Sequence, residues 1–305
     1  MKREDLKNNV RIVGELINKE VRRNNVDTAN ETIALELTVR VSEVEQHQVF
    51  FFAYKYGKNQ DGIRVKDSNK ISKLYMGYDT VANEYRYKAD ENGDGVGEVV
   101  DIKGSLTKNM YVDKQGTIKE IVKVKGIFCS RTKGKSESDY GTVWEAHVHI
   151  TDMKEDVTDK TGEYVLVKGM VVGYTEEEFE FRIYREKAKV GFVKRFDIGD
   201  SLRLVGELVN RPDEVEVEVE TDTEEGWGEE VSLSTSSNTI IRKYLEIISG
   251  DTSAMDTDDE EHPLNIENIK QYRKNINRKK QDLLTEYEEK QKEEKDSFDF
   301  DDIPF

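Results

Sequence analysis

Four aromatic residues recur at every second position of one segment: Phe50, Phe52, Tyr54 and Tyr56. In a strand, alternate side chains point to opposite faces. These four rings therefore share one face, and Phe51, Ala53 and Lys55 share the other. A row of rings offers planar stacking surfaces, and cations beside it would hold phosphates. Such cations are present. Ile102 to Lys135 holds nine basic residues, among them Lys103, Lys108, Lys123 and Lys125, against only Asp113 and Glu120. Tyr111 and Phe128 lie in the same stretch. Arg182 to Arg195 holds six basic residues and only Glu186; here Arg182, Tyr184, Arg185, Lys187, Lys189 and Phe192 combine both chemistries. Lys19, Arg22 and Arg23 form a third cluster. A single basic cluster is as readily a solvated strand face. Three beside aromatic strands point to a groove for a polyanion.

Catalytic signatures are missing. The chain contains no P-loop, no Gly-x-Ser-x-Gly elbow and no zinc motif, so no enzyme activity and no cofactor are expected. His147 and His149 share a strand face with Asp152 nearby, but two His without a third ligand read as an ordinary sheet pair. The acidic loop from Asp90 to Gly97 lacks the closing Glu of a calcium loop. The single cysteine, Cys129, excludes an internal disulfide and fits a reducing compartment. No window approaches the roughly 20 apolar residues of a membrane helix, and the N-terminus has no signal-peptide pattern.

The elements that would position these residues are mostly strands. Residues 10–17, 32–41 and 48–56 are β-branched or aromatic rich. Residues 69–84 place Ile71, Leu74, Tyr75, Tyr78 and Val81 at helical spacing. Two strands, 99–111 and 118–130, follow around a hairpin turn. Three strands, a helix and two strands is the order of an OB-fold. A second set spans 143–150, 164–174, 178–184, 201–210 and 215–220, with a turn at 191–196 in place of the helix. Residues 238–249 fit a short helix or a closing strand, with Ile241, Tyr244, Leu245 and Ile248 inward. Residues 10–18 and 202–210 match at nearly every position, each with a central Gly that marks a bend. Trp144 reads as core.

The fold class expected is therefore mainly β: two tandem OB-fold-like barrels, then an acidic linker, a C-terminal helix and a disordered acidic tail. The corresponding bounds are 1–140, 141–250, 251–264, 265–293 and 294–305. The helix carries the stripe Ile266, Ile269, Tyr272, Ile276, Leu283, Leu284 and Tyr287. Lys270 to Lys280 has six positive charges and no acid, and Glu286 to Glu294 has five acids. That order opposes the helix dipole, so the last turns should fray. The stripe could dock on a barrel or pair with another chain.

With 47 Lys plus Arg and 64 Asp plus Glu, the 305 residues carry a net charge of −17. Taken whole, this argues against nucleic acid. Residues 1–210 hold 35 basic and 36 acidic residues, and residues 211–305 hold 12 and 28. The excess acid thus lies beyond the barrels, outside the roughly 8 Å reach of unscreened charge at physiological salt unless the tail folds back.

The last residues, Asp299-Phe-Asp-Asp-Ile-Pro-Phe305, carry a family resemblance. They are similar, residue for residue, to the acidic tip of bacterial single-stranded-DNA-binding proteins. The resemblance covers about ten residues of the chain. Its two-barrel plan is more similar to replication proteins of bacteriophages than to the usual bacterial form, which has one barrel and a Gly/Gln/Pro-rich linker. The resemblance implies a non-enzymatic protein of DNA replication, recombination or repair that coats single-stranded DNA. It also implies a cytoplasmic setting in a bacterium or phage-infected host. Partner proteins would dock on Asp299, Asp301, Asp302, Ile303, Pro304 and Phe305. Pro304 lowers the ordering cost, Phe305 offers a ring and a carboxylate together, and the Asp residues steer toward basic surfaces.

The DNA-binding candidates are then Arg22, Arg23, Phe50, Phe52, Tyr54, Tyr56, Lys108, Tyr111, Lys123, Lys125, Arg182, Tyr184, Arg185 and Lys187. One face of the residue 48–56 strand is core. With Phe51 and Ala53 inside, the four-ring row faces out, which is the preferred arrangement. The reverse buries the row and leaves Lys55 at the rim. Two rival functions stay open: a replication scaffold whose barrels bind protein, and a metal-dependent nuclease built from scattered carboxylates. A homo-oligomer is also compatible with the sequence.

Overall fold

A computed structural model describes residues 2–67, 69–89, 95–159, 162–218 and 235–297, with side chains outside 213–240 and 293–297. The acidic tip, Asp299 to Phe305, expected to bind partners, therefore lies outside the described residues. The chain is mainly β. Its strands are β1 (Asn8–Asn24), β2 (Thr32–Arg40), β3 (Gln46–Tyr54), β4 (Val99–Val112), β5 (Ile118–Arg131), β6 (Gly141–Asp159), β7 (Gly162–Val172), β8 (Glu176–Ile183), β9 (Ser201–Glu218) and β10 (Thr235–Gly250). The helices are α1 (Lys73–Glu84), α2 (Glu186–Val193) and α3 (Ile266–Ser297).

Strand pairing closes the chain twice. In the first half β1 pairs with β2 and with β4, β2 with β3, β4 with β5, and the parallel contact of β3 with β5 completes the ring. In the second half β6 pairs with β7 and β9, β7 with β8, β9 with β10, and the parallel contact of β8 with β10 closes it. Both rings have the connectivity of an OB-fold. β3 and β8 therefore occupy equivalent positions, as do β4 and β9. The N-terminal half of β1 also pairs with β6, Val10 opposite Trp144, which joins the two barrels into one ten-stranded sheet.

Alternation along β3 decides its faces. Val49, Phe51 and Ala53 are buried, and Phe51 meets Tyr78 of α1 edge-on at 5.1 Å. α1 begins at Ser72, whose hydroxyl accepts the Tyr75 N–H, a normal N-cap. It seals the first barrel with Tyr75, Tyr78 and Val81. Gly126 of β5 lies under Phe51, and a Cβ there would overlap the ring. In the second barrel Trp144 packs on Phe181 at 5.1 Å and donates its Nε1–H to the Glu207 carbonyl at 3.0 Å.

Several expectations change. The segment 191–196 does not replace the helix of the second barrel: α2 forms there, and Phe192 and Phe196 pack inward at 5.3 Å. Residues 238–249 belong to a strand, the second of the two alternatives: Leu245 and Ile247 are buried, Tyr244 and Ile248 on the other face are half-buried, and Ile241, on the same face as Leu245 but nearer the start of the strand, is exposed. The strand expected at 215–220 is a continuation of β9 as far as Glu218, and residues 219–220 lie outside the described residues. The nine-residue repeat lies in β1 and β9, which are not equivalent strands of the two barrels. Gly14 and Gly206 share a local need instead, because a Cβ at either would strike the carbonyl of a neighbouring strand, Arg40 or Glu246. α3 continues to Ser297 rather than fraying early.

The acidic segment after β10 is not free of packing. Asp251 accepts from Arg203 at 3.1 Å, the Met255 N–H donates to the Ser201 carbonyl at 2.6 Å, and Leu264 is buried. With Leu6, Met170, Val172 and Ile269 it forms a second small core, against which Tyr272 and Ile276 pack. α3 thus docks on the second barrel, and no second chain is needed to cover its first turns. Further along, Arg273 pairs with Glu178 at 2.6 Å, Lys280 pairs with Glu120, and the Tyr287 hydroxyl donates to the Lys114 carbonyl at 3.1 Å. One helix therefore spans from the second barrel to the β4–β5 hairpin of the first.

Candidate nucleic-acid interface

β3 presents Phe50, Phe52 and Tyr54 outward because Phe51 and Ala53 fill the barrel. Phe52 is 48% exposed and meets Tyr54 edge-on at 5.1 Å. The parallel neighbour β5 brings basic residues beside them, with Phe50 opposite Lys125 in register. Lys123 Nζ lies 4.1 Å from the Phe50 ring centre. Arg64, from the loop after β3, stacks its guanidinium 3.3 Å over Tyr54 and donates to the Tyr56 carbonyl at 2.7 Å. These contacts hold the rings in place while leaving cationic groups at the surface. Phe128 of β5, 62% exposed, lies opposite Lys103 of β4. Tyr111 is also exposed, nearer the hairpin tip. The assembled surface interleaves rings and cations, which suits bases and phosphates respectively.

Tyr56 leaves the row. β3 ends at Tyr54, and the following residues change the alternation, so Tyr56 is only 3% exposed and bridges to Ile71. Lys55 turns to Glu31 at 2.9 Å. Burial pushes the Glu31 carboxyl up, but the Tyr75 hydroxyl at 2.6 Å and the Lys55 ammonium outweigh it and hold it below the usual carboxylate range. The same pair holds Lys55 charged, its pKa raised by Glu31. This is a buried anchor between the end of β3 and α1.

Other candidates are engaged elsewhere. Arg23 pairs with Asp79 of α1 at 2.6 Å. Arg22 is exposed beside Glu20. Lys108 pairs with Glu120 at 2.5 Å, and Lys280 reaches the same carboxylate. Burial raises the Glu120 pKa, yet these two cations bring it below the ordinary value.

The second barrel does not repeat the first surface. β8 stands where β3 stands, but its outward positions are Glu178, Glu180 and Arg182. Arg182 lies between Tyr164 and Tyr244, 4.8 and 5.0 Å from their centres, and pairs with Asp159 at 2.7 Å. The Tyr184 hydroxyl donates to the same Asp159 at 2.7 Å. Arg182 and Tyr184 are thus parts of a packed cluster, not a stacking row. Arg185 pairs with Glu207 and Glu246 at 3.4 Å each, and Lys187 is exposed on α2.

His147 accepts the Lys7 N–H at Nδ1, 2.8 Å away, and His149 Nδ1 faces the Ser201 hydroxyl at 2.9 Å. Both are structural partners within the sheet. Among the described residues no group of three His, Cys, Asp or Glu gathers as a metal set would. Burial, then Asp101 and Glu98, pushes the Cys129 thiol up to about 12. No helix among the described residues is long and apolar enough to cross a membrane.

The sequence did not nominate Arg64, Tyr174 or Lys243. Tyr174, 94% exposed in the β7–β8 turn, lies 5.2 Å from Lys125 across the barrel junction. Tyr174 and Lys243 reach the surface on elements distant in the chain, and Arg64 does so through the fold of the loop after β3, for which local composition holds no signal.

A family model called YorF matches residues 7–291, which takes in both barrels and nearly all of α3. The chain belongs to the YorF family. Among solved structures, a deletion mutant of the single-stranded DNA binding protein from Thermus aquaticus is similar over 84% of this chain and 98% of that one. Its sequence identity is 15% and its TM-score 0.46. No curated protein matches this YorF-family chain.

Proposed function

We propose that this chain binds single-stranded DNA without sequence preference and recruits other proteins through its acidic tip. The observation that carries the proposal is the outward face of β3 and β5. There Phe50, Phe52 and Tyr54 stand beside Lys123, Lys125 and Arg64, with Phe128 and Lys103 continuing the surface. Stacking suits any base, because every base has a π-face, and the cations supply sequence-independent phosphate contacts. The surface lies on the first barrel, which we assign to residues 1–140, with the second barrel at 141–250. The second barrel places carboxylates at the equivalent strand and serves to hold α3. The tip residues Asp299, Asp301, Asp302, Ile303, Pro304 and Phe305 would bind replication or repair proteins, as their resemblance implies. Bulk action as a strand-coating, non-enzymatic protein follows from the same reading.

The test is quenching of tyrosine and tryptophan fluorescence by oligo-dT at two salt concentrations. Saturable quenching that weakens steeply with salt is expected, because each neutralised phosphate releases counterions. No quenching, or an affinity that salt leaves unchanged, would refute the assignment.

A further inference from the structure

A groove of 550 Å³ lies where the two barrels meet, lined by Phe50 and Lys123 of the first and by Asn210, Lys243 and Tyr244 of the second. Its volume lies within the roughly 300–1,000 Å³ of small-ligand sites. Phe50 belongs to the β3 row, so the groove continues the surface described above. Its acids are neutralised: Glu120 by Lys108 and Lys280, and Glu180 by Lys168 at 3.0 Å. Lys243 is exposed and has no carboxylate within ion-pair distance among the described residues. The groove therefore has excess positive charge, although the chain as a whole is acidic.

Asn210 adds a specific feature. Its backbone N–H donates to Glu45 at 2.9 Å, and its side-chain amide donates to the Gln46 carbonyl, both across the barrel junction. These bonds orient the amide. Its Oδ1 is buried without a hydrogen-bond partner among the described residues. A buried acceptor left unpaired costs free energy, so it marks a place where a donor belongs. Nucleobase edges carry such N–H donors, whereas phosphates carry none.

We propose that this groove is a second nucleotide subsite, in which the strand leaves the β3 row and crosses to the second barrel. Lys123 and Lys243 hold the phosphates on either wall. Asn210 Oδ1 accepts from the edge of a base beside Phe50. The second barrel thus contributes to binding through β9 and β10 rather than through β8. The inference rests on the single-strand reading of the β3 face and extends its footprint.

The experiment compares Lys243→Ala and Lys243→Glu with the unaltered full-length chain. Affinity is measured for one oligo-dT of about five nucleotides and one of about fifteen, which bracket a single-barrel site. Lys243 is exposed, so the variants should keep the melting temperature of the parent. The expected result is a loss of about fivefold or more on the longer strand, a salt slope smaller by about one, and no change on the shorter strand. Unchanged affinity for both lengths would overturn the subsite and leave the β3 reading standing, since Phe52→Ala would still weaken both. Equal weakening of both lengths would also overturn it, as that is a general field effect. Failure of the unaltered chain to bind either strand would overturn both proposals.

Discussion

At the residue scale, neighbouring side chains of β3 have opposite tasks. Phe51 fills the barrel against Tyr78 and Gly126, while Phe52 stands in solvent. Phe52→Ala removes a stacking surface worth about 1–3 kcal/mol. It should lower oligo-dT affinity by about 5- to 150-fold and leave the melting temperature unchanged. Phe51→Ala should cost about 3–5 kcal/mol of stability through the cavity it leaves, as measured by urea unfolding. If Phe52→Ala unfolds the protein as readily, the ring is structural and the assignment of the row is wrong. The sequence predicted the alternation itself. It could not place Tyr56, because the break at Lys55 depends on Glu31 and Tyr75, residues 24 and 20 positions away.

At the element scale, α3 is the feature that ties the two barrels together. Its first turns bury Ile269 against Met170, Val172 and Leu264, and its later turns reach Glu120 and Lys114 on the β4–β5 hairpin. Ile269→Asp would bury a carboxylate in an apolar contact. The expected outcome is release of the helix, seen as rapid trypsin cleavage within residues 270–280, while the barrels stay folded. Resistance equal to that of the parent would show that the ionic contacts alone hold the helix. The apolar stripe was legible at helical spacing, but its partner was not. Met170 and Val172 sit on the outward face of β7, and only the closed second barrel shows that this face needs a cover.

At the scale of the whole molecule, three buried histidines make stability depend on pH. Burial is the largest influence on His147, His149 and His262, and it holds each pKa below the ordinary value near 6.5. The unfolded chain then binds more protons than the folded one below that value. Their contribution is present above about pH 6.5 and is lost as pH falls toward the folded pKa values. Melting temperature should fall between pH 7.5 and pH 6, measured by calorimetry at constant salt. A flat profile would show that the imidazoles protonate in place. Burial raises Glu177 and Glu246, which act in the opposite direction but start from the carboxylate range, further down the pH scale. Charge is divided unevenly along the whole chain, with the excess acid in residues 211–305. Removing residues 296–305 should leave oligo-dT affinity unchanged or raised, because it removes acid that competes for the basic face. A clear loss of affinity would contradict the proposed separation of tip and barrels.

The order of strands and helix in the first barrel, the alternation in β3 and the split between a neutral first part and an acidic last part were determined by the sequence alone, whereas α2 and the strand bounds of the second barrel were not. The former are local properties, set by side-chain period and by composition. The tertiary structure decided what depends on closure. It placed Arg182 between Tyr164 and Tyr244, gave Lys108 to Glu120, and showed that Gly14 and Gly206 answer the same backbone approach in non-equivalent strands. It also brought Arg64 over Tyr54 and Lys243 to the groove beside Phe50. An ion pair or a stacked ring depends on distances between strands far apart in the chain. Those distances exist only once the barrels close, so a basic or aromatic residue reads the same in the sequence whether it ends at the surface or in the core.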